Sequence, residues 1–270
     1  MWDYEELILQ IPVSDRGRGL RSRILRDGKK DSPGRAFVRD TRGLTGLSHP
    51  AISGYISLPM SKFLLPLSEF NRIYQVAHGV LQGVPGATAE KACLFFAAFG
   101  GYVLNQQYKI RTRVVGGTFA FCLGDASEVA IFGKLENGQL VSGPDAFHMW
   151  LVTETHIIDF MAPIYREAFA DRPMPTSLPR KMMQRRLEEE AASLDAFTRA
   201  GDFRYFPDPD LTDRLLDNFL GRPMNADLIQ VAAAWYGNRR ARQAPTFAMS
   251  DEKGGTTRLS LATTVASGAW

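Results

Sequence analysis

Three side chains in this sequence have the types and the order for nucleophilic sulfur chemistry: Cys93, His148 and Asp159. Acyl transfer through sulfur needs a thiolate, a base to take the thiol proton, and a group that holds the base. A cysteine with the ordinary pKa of about 8.5 is only about 3% ionised at pH 7, so its surroundings must favour the anion. A helix N-terminus does this through its unpaired amides, and a nearby imidazolium does it by charge. Cys93 falls in the first or second turn of an expected helix. His148 and Asp159 fall on two expected neighbouring strands.

Those strands come from the stretch Phe147 to Phe160, two apolar, β-branched and aromatic runs around a polar turn. A two-residue turn at Thr153-Glu154 would set His148 directly opposite Asp159, close enough for a carboxylate to orient an imidazole. A four-residue loop would also keep the pair on one face, whereas a three-residue loop would separate them. Thr-Glu is a poor hairpin turn, because the favoured types want Asn or Gly. Asp159 itself, between Ile158 and Phe160, needs a charged or hydrogen-bonding partner if it is buried.

The elements that must position these residues follow from periodicity. Ser68 caps an expected helix from Glu69 to about Leu81, with Phe70, Ile73, Tyr74, Ala77 and Leu81 on one stripe. Thr88 caps a second, from Ala89 to about Gln107, whose centre is apolar almost all round and therefore buried. Strands are expected at Ile110–Val115, Thr118–Leu123 and Val129–Phe132, with a turn at Glu136-Asn137-Gly138-Gln139. Gly116-Gly117 suggests a bulge. Further helices are expected at Pro163–Ala170, Lys181–Arg199, Leu211–Leu220 and Ala226–Tyr236. Helices, then antiparallel strands, then helices make an α+β arrangement.

Composition narrows the class. The 270 residues are 45% apolar and 23% charged, which are globular values. The formal charge of +3 comes from 32 basic and 29 acidic residues and does not argue for nucleic acid. No apolar run reaches the roughly 18 residues of a membrane span. Two cysteines, Cys93 and Cys122, do not make a secreted disulfide framework, and with no signal-like N-terminus the expected location is cytoplasmic. Residues 1–59 read as a basic flexible segment: Ser14 to Gly43 holds ten Arg/Lys against four Asp. Residues 60–240 form the expected domain, and 241–270 a loose polar tail.

Local motifs carry a resemblance. Cys93 with Phe96-Ala97, the segment Tyr108 to Gly116, and His148-Met149-Trp150 with Asp159 resemble the transglutaminase-like branch of the papain-type cysteine enzymes. The portion from Met60 is also similar to a bacterial family catalogued only as a domain of unknown function. The resemblance implies a papain-like/transglutaminase-like fold, with an antiparallel sheet against a central Cys-bearing helix and additional C-terminal helices. It implies Cys93 as nucleophile, His148 as base and Asp159 as orienting group. It also implies a peptidase, deamidase or transglutaminase type of activity on a protein or peptide, with no cofactor. Two positions depart from that group. Lys91 stands where Gly often precedes the nucleophile, and Phe160 where Pro commonly follows the Asp.

Supporting roles remain open. Lys91 either favours the Cys93 thiolate or is solvated. Trp150 is a candidate substrate contact, and the oxyanion donor is the Cys93 amide or, second, Gln82. The rival class is a catalytically inactive fold serving as a protein-interaction module, since buried cysteines are commonly inert core. Cys122, inside Phe121-Cys122-Leu123, reads as core. His49, His78, His148 and His156 show no zinc spacing with either cysteine. His156 reads as a surface residue, and Asn238 to Arg242 as a solvated basic run.

Overall fold

The computed structural model describes a strand backbone at Glu6–Gln10 and residues 62–124, 128–137, 139–170, 178–251 and 253–270. The basic stretch from Ser14 to Gly43 lies outside the described residues, as does His49.

The chain is mixed α+β: an antiparallel sheet that curls between two buried layers, with helices against one face. In chain order the sheet strands are β1 (Glu6–Gln10), β2 (Arg113–Cys122), β3 (Glu128–Phe132), β6 (His148–Val152), β7 (His156–Asp159), β8 (Met183–Arg186) and β9 (Phe203–Pro207). Two small hairpins stand apart, β4 (Lys134–Glu136) with β5 (Gln139–Val141), and β10 (Thr246–Ser250) with β11 (Thr256–Ser260). The main order is β1-β3-β2-β6-β7-β8, with β9 also on β2. β2 pairs with β6 up to Gly117 and with β9 from Gly117 onward. Gly117 is therefore the point where the sheet forks. Its φ of +152° suits glycine, and a Cβ there would collide with the Phe206 carbonyl oxygen.

Helices α1 (Leu67–Gln82) and α2 (Cys93–Val103) bury apolar faces in one cluster with Met149, Leu151, Ile158 and Phe160. α4 (Pro209–Leu220) and α5 (Pro223–Tyr236) complete that layer, and Asp208 caps α4 by accepting from the Leu211 amide. Residues of β6 alternate, as strand geometry requires. Met149 and Leu151 face the helices. Trp150 and Val152 join a second cluster with Phe119, Phe121, Phe132, Tyr165, Phe169, Met183 and Trp270.

Three expectations are corrected here. Lys181 to Arg199 is not a helix; it contains β8 and two short 3-10 turns. Its helix-favouring residues yield to pairing along β7, and to Gln184, whose buried amide bonds both ways with the Leu65 backbone. Residues 241–270 are not a loose tail. β10 and β11 form a hairpin, Leu259, Ala262 and Ala266 enter the helical cluster, and Trp270 packs edge-on against Phe121 at 5.5 Å. Few apolar anchors suffice to hold a polar segment when each is fully buried. The second helix is also shorter: a 3-10 turn at Ala89–Lys91 precedes α2, and a π turn at Leu104–Tyr108 follows it.

Candidate active site

The hairpin of β6 and β7 turns one residue later than Thr153-Glu154. The Thr153 amide donates to the His156 carbonyl at 2.8 Å, so Glu154 and Thr155 form the turn. The Thr153 hydroxyl supplies what Asn or Gly would otherwise provide: it accepts from the amides of Thr155 and His156. Leu151 therefore faces Ile158, and His148 and Asp159 are diagonal neighbours on one face. A diagonal pair is more widely spaced than an opposite one. The far nitrogen of the ring spans it, with His148 Nε2 at 2.5 Å from Asp159 Oδ2.

Both groups are buried, His148 at 1% exposure and Asp159 at 2%. The carboxylate is accordingly well satisfied. Its Oδ1 accepts from the Met161 amide at 2.8 Å, and its Oδ2 also accepts from the Tyr165 hydroxyl. The Met161 bond turns the chain just after Asp159. The His148 ring stacks on Phe132 at 4.1 Å and lies edge-on to Tyr165 at 5.8 Å. Nε2 is the ring nitrogen that faces the carboxylate, and Nδ1 is the other.

Tyr165 was not foreseen. It opens the short helix α3 (Tyr165–Ala168), six residues beyond Asp159 and past Pro163. The sequence signal was there in principle: a buried aspartate must gather donors, and a tyrosine one turn beyond a proline break is within reach.

Cys93 is the first residue of α2, which has no side-chain cap. Its amide thus belongs to the first turn, where helical N–H groups lack intrahelical partners. The residue is 4% exposed and packs in the helical cluster. Two sets of contacts bring this helix start to the His148 end of the sheet. Phe147 lines one cavity of about 300 Å³ together with Lys91, Ala92 and Leu94. The short helix α3 packs against the turn Ala89–Lys91. The His148 ring itself sits on the face bearing Trp150. Its contacts include Asp159 and the rings of Phe119, Phe132, Trp150 and Tyr165. The structure thus joins His148 to Asp159 on the face bearing Trp150, while Cys93 packs in the helical cluster that includes Phe147 and Met149.

A family model matches residues 66–270, which include Cys93, His148 and Asp159. The chain belongs to the family "Protein of unknown function (DUF2026)". This DUF2026 chain is also similar to a crystal structure whose description names only a genomics target. The two share 29% identity and a TM-score of 0.69, over 80% of this chain and 100% of that one. Comparison with curated proteins gives no match.

The remaining candidates divide. Trp150 is wholly buried and has Tyr205 edge-on at 5.8 Å, so it forms part of the core behind the site. Lys91 and Gln82 are exposed and line two different cavities beside the start of α2. Cys122 is buried in a small cluster with Val129, Ile131 and Phe197. His156 is not a surface residue. It is 1% exposed, hydrogen-bonded at Nδ1 to the Thr155 hydroxyl and donating from Nε2 to the Lys62 carbonyl. Burial holds its pKa below the usual histidine value, against the opposing pull of the Lys62 carbonyl. Among the described residues no cluster of His, Cys, Asp and Glu is placed to hold a metal ion, and no helix is long and apolar enough to cross a membrane.

Proposed function

We propose that this DUF2026 chain has a papain-like/transglutaminase-like fold and performs thiol-dependent acyl transfer or hydrolysis on an amide of a protein or peptide. The observation that carries the proposal is the buried His148–Asp159 pair, reinforced by Tyr165; Cys93, the first residue of α2, supplies the thiol. Cys93 Sγ attacks the amide carbonyl, and His148 Nδ1 takes the thiol proton and returns it to the leaving amine. Asp159 and Tyr165 hold the ring and its tautomer. The Cys93 amide, in the first turn of α2, supports the negative oxygen of the tetrahedral intermediate. Water or an amine then releases the acyl group. Catalytic hydrogen bonds commonly tighten only once substrate binds, and the Cys93–His148 bond is assigned to that complex.

A second reading is favoured by burial. With Cys93 at 4% and His148 at 1% exposure, a substrate has no direct path to either in this arrangement, as expected of an interaction module that retains the fold. A thiol-directed amide-mimetic probe separates the two. The proposal expects labelling at Cys93 that disappears in Cys93→Ala and falls sharply in His148→Gln. Equal labelling of both variants, or none of the natural chain, supports the module.

A further inference from the structure

A cleft of about 300 Å³ lies between the end of α1, the start of α2 and the corner where α4 meets α5. Leu81, Phe95, Phe147 and Leu215 make its buried wall, and Leu228 and the exposed Met224 line it from α5. We propose that this cleft binds a medium-chain alkyl monocarboxylate, with the chain against the apolar wall and the carboxylate at Lys91 and Arg222.

The wall residues keep 3–7% exposure, whereas Val80 and Phe96 beside them have none. The cleft therefore leaves apolar core surface in contact with water, and covering it with hydrocarbon is favourable. Its size and lining are those of a small-molecule site, which holds about 300 Å³ or more, mostly apolar, with few polar groups. Charge selects the ligand. Lys91 and Arg222 line the cleft, and among the described residues no acidic side chain does. Glu90, next to Lys91 in the chain, lines the other cavity. Lysine and arginine both donate charge-assisted hydrogen bonds to a carboxylate, whereas an ammonium would meet two like charges. Both cations are exposed, so the charge sits at the mouth and the hydrocarbon lies inward. The other polar side chains of the lining are Asn218, which is exposed, and Asn225, whose Nδ2 donates to the Phe219 carbonyl at 2.8 Å. A peptide would bring amide groups that are costly to bury unpaired against such a wall, and an alkyl chain brings none.

The test titrates octanoate, 1-octanol, n-octylammonium and acetate into the full chain by calorimetry. It uses both the natural sequence and Cys93→Ala, so binding is read apart from any thiol chemistry. Saturable binding of octanoate is expected in both, roughly tenfold or more tighter than octanol, as a charge-assisted bond implies. No binding of octylammonium or acetate is expected. In Lys91→Gln/Arg222→Gln the preference for octanoate over octanol should fall toward one. Leu228→Trp, and Ala87→Trp on the exposed lip, fill the cleft and should abolish binding of both. Lys253→Gln, a charge removal outside the lining, should change nothing. Circular dichroism checks that each variant is folded. Octylammonium bound as well as octanoate overturns the proposal, as do absent saturation, a preference that survives the double variant, and octanoate binding that survives both tryptophan variants. Tighter binding of N-acetyl-leucyl-leucine would assign the cleft to a peptide terminus, and a dimer dissolved by both tryptophan variants would assign it to a second copy; either overturns the proposal. Any of these results leaves the thiol proposal standing.

Discussion

Replacing Tyr165 by Phe removes its bond to the candidate site with almost no change of shape. Tyr165 is 1% exposed, and its ring packs between Phe121 at 4.9 Å and Phe132 at 5.1 Å, contacts that Phe retains. The substitution removes the hydroxyl that donates to Asp159 Oδ2. A hydrogen bond to a charged group contributes about 1.5–3 kcal/mol, and the partner left behind here is a buried carboxylate. For a domain of this size each kcal/mol moves the melting temperature by about 2–4 °C, so a fall of roughly 3–12 °C is expected. The assay is thermal and urea denaturation of the natural chain, Tyr165→Phe, Asp159→Asn and the double variant. Residues in one network do not act additively, so the double variant should lose at least about 0.5 kcal/mol less than the two single losses combined. An unchanged melting temperature in Tyr165→Phe, or strict additivity, would refute the claim that Tyr165 and Asp159 act as a unit.

Three further outcomes follow from the fold. Trp270→Ala should cost about 3–5 kcal/mol in urea denaturation, because a large buried side chain is removed from the second cluster; a loss under about 1 kcal/mol would restore the picture of a loose tail. Gly117→Ala should sharply reduce stability, since its Cβ would meet the Phe206 carbonyl where the sheet forks; a variant that melts with the natural chain would contradict that. For pH, His156 has a folded pKa below its ordinary 6.5, so the unfolded chain binds the proton more readily. The stability it confers is present above about pH 6.5 and declines as pH falls below that value. His156→Gln should flatten this part of the stability curve, and an unchanged slope would argue against a neutral, buried ring.

How much of this was legible in the sequence depends on whether the deciding force is local. α1 ends within two residues of the stripe that predicts it, and α4 and α5 likewise match their apolar spacing. The hairpin was visible from its two apolar runs, but its register was not, because the Thr153 hydroxyl acts as the turn-former in place of Asn or Gly. The shift of two positions left His148 and Asp159 on one face, since side chains alternate with period two. Where a distant partner decides, the sequence misleads. Met182 to Arg186 holds residues common in helices, and only β7 beside it makes it a strand. Trp270 looks like a stray terminal aromatic until Phe121 is placed next to it. His156 reads as exposed because the carbonyl that holds it belongs to Lys62, far along the chain. Tyr165 escaped notice for the same reason, its role being set by where Asp159 points.

The most direct test of the thiol proposal is the rate of alkylation at Cys93 as a function of pH, read by peptide mass spectrometry so that Cys93 and Cys122 are scored separately. The proposal predicts an inflection well below about 8.5 for Cys93, moving back toward that value in His148→Gln. An inflection at or above about 8.5, or complete protection of Cys93 in the folded chain, would contradict it.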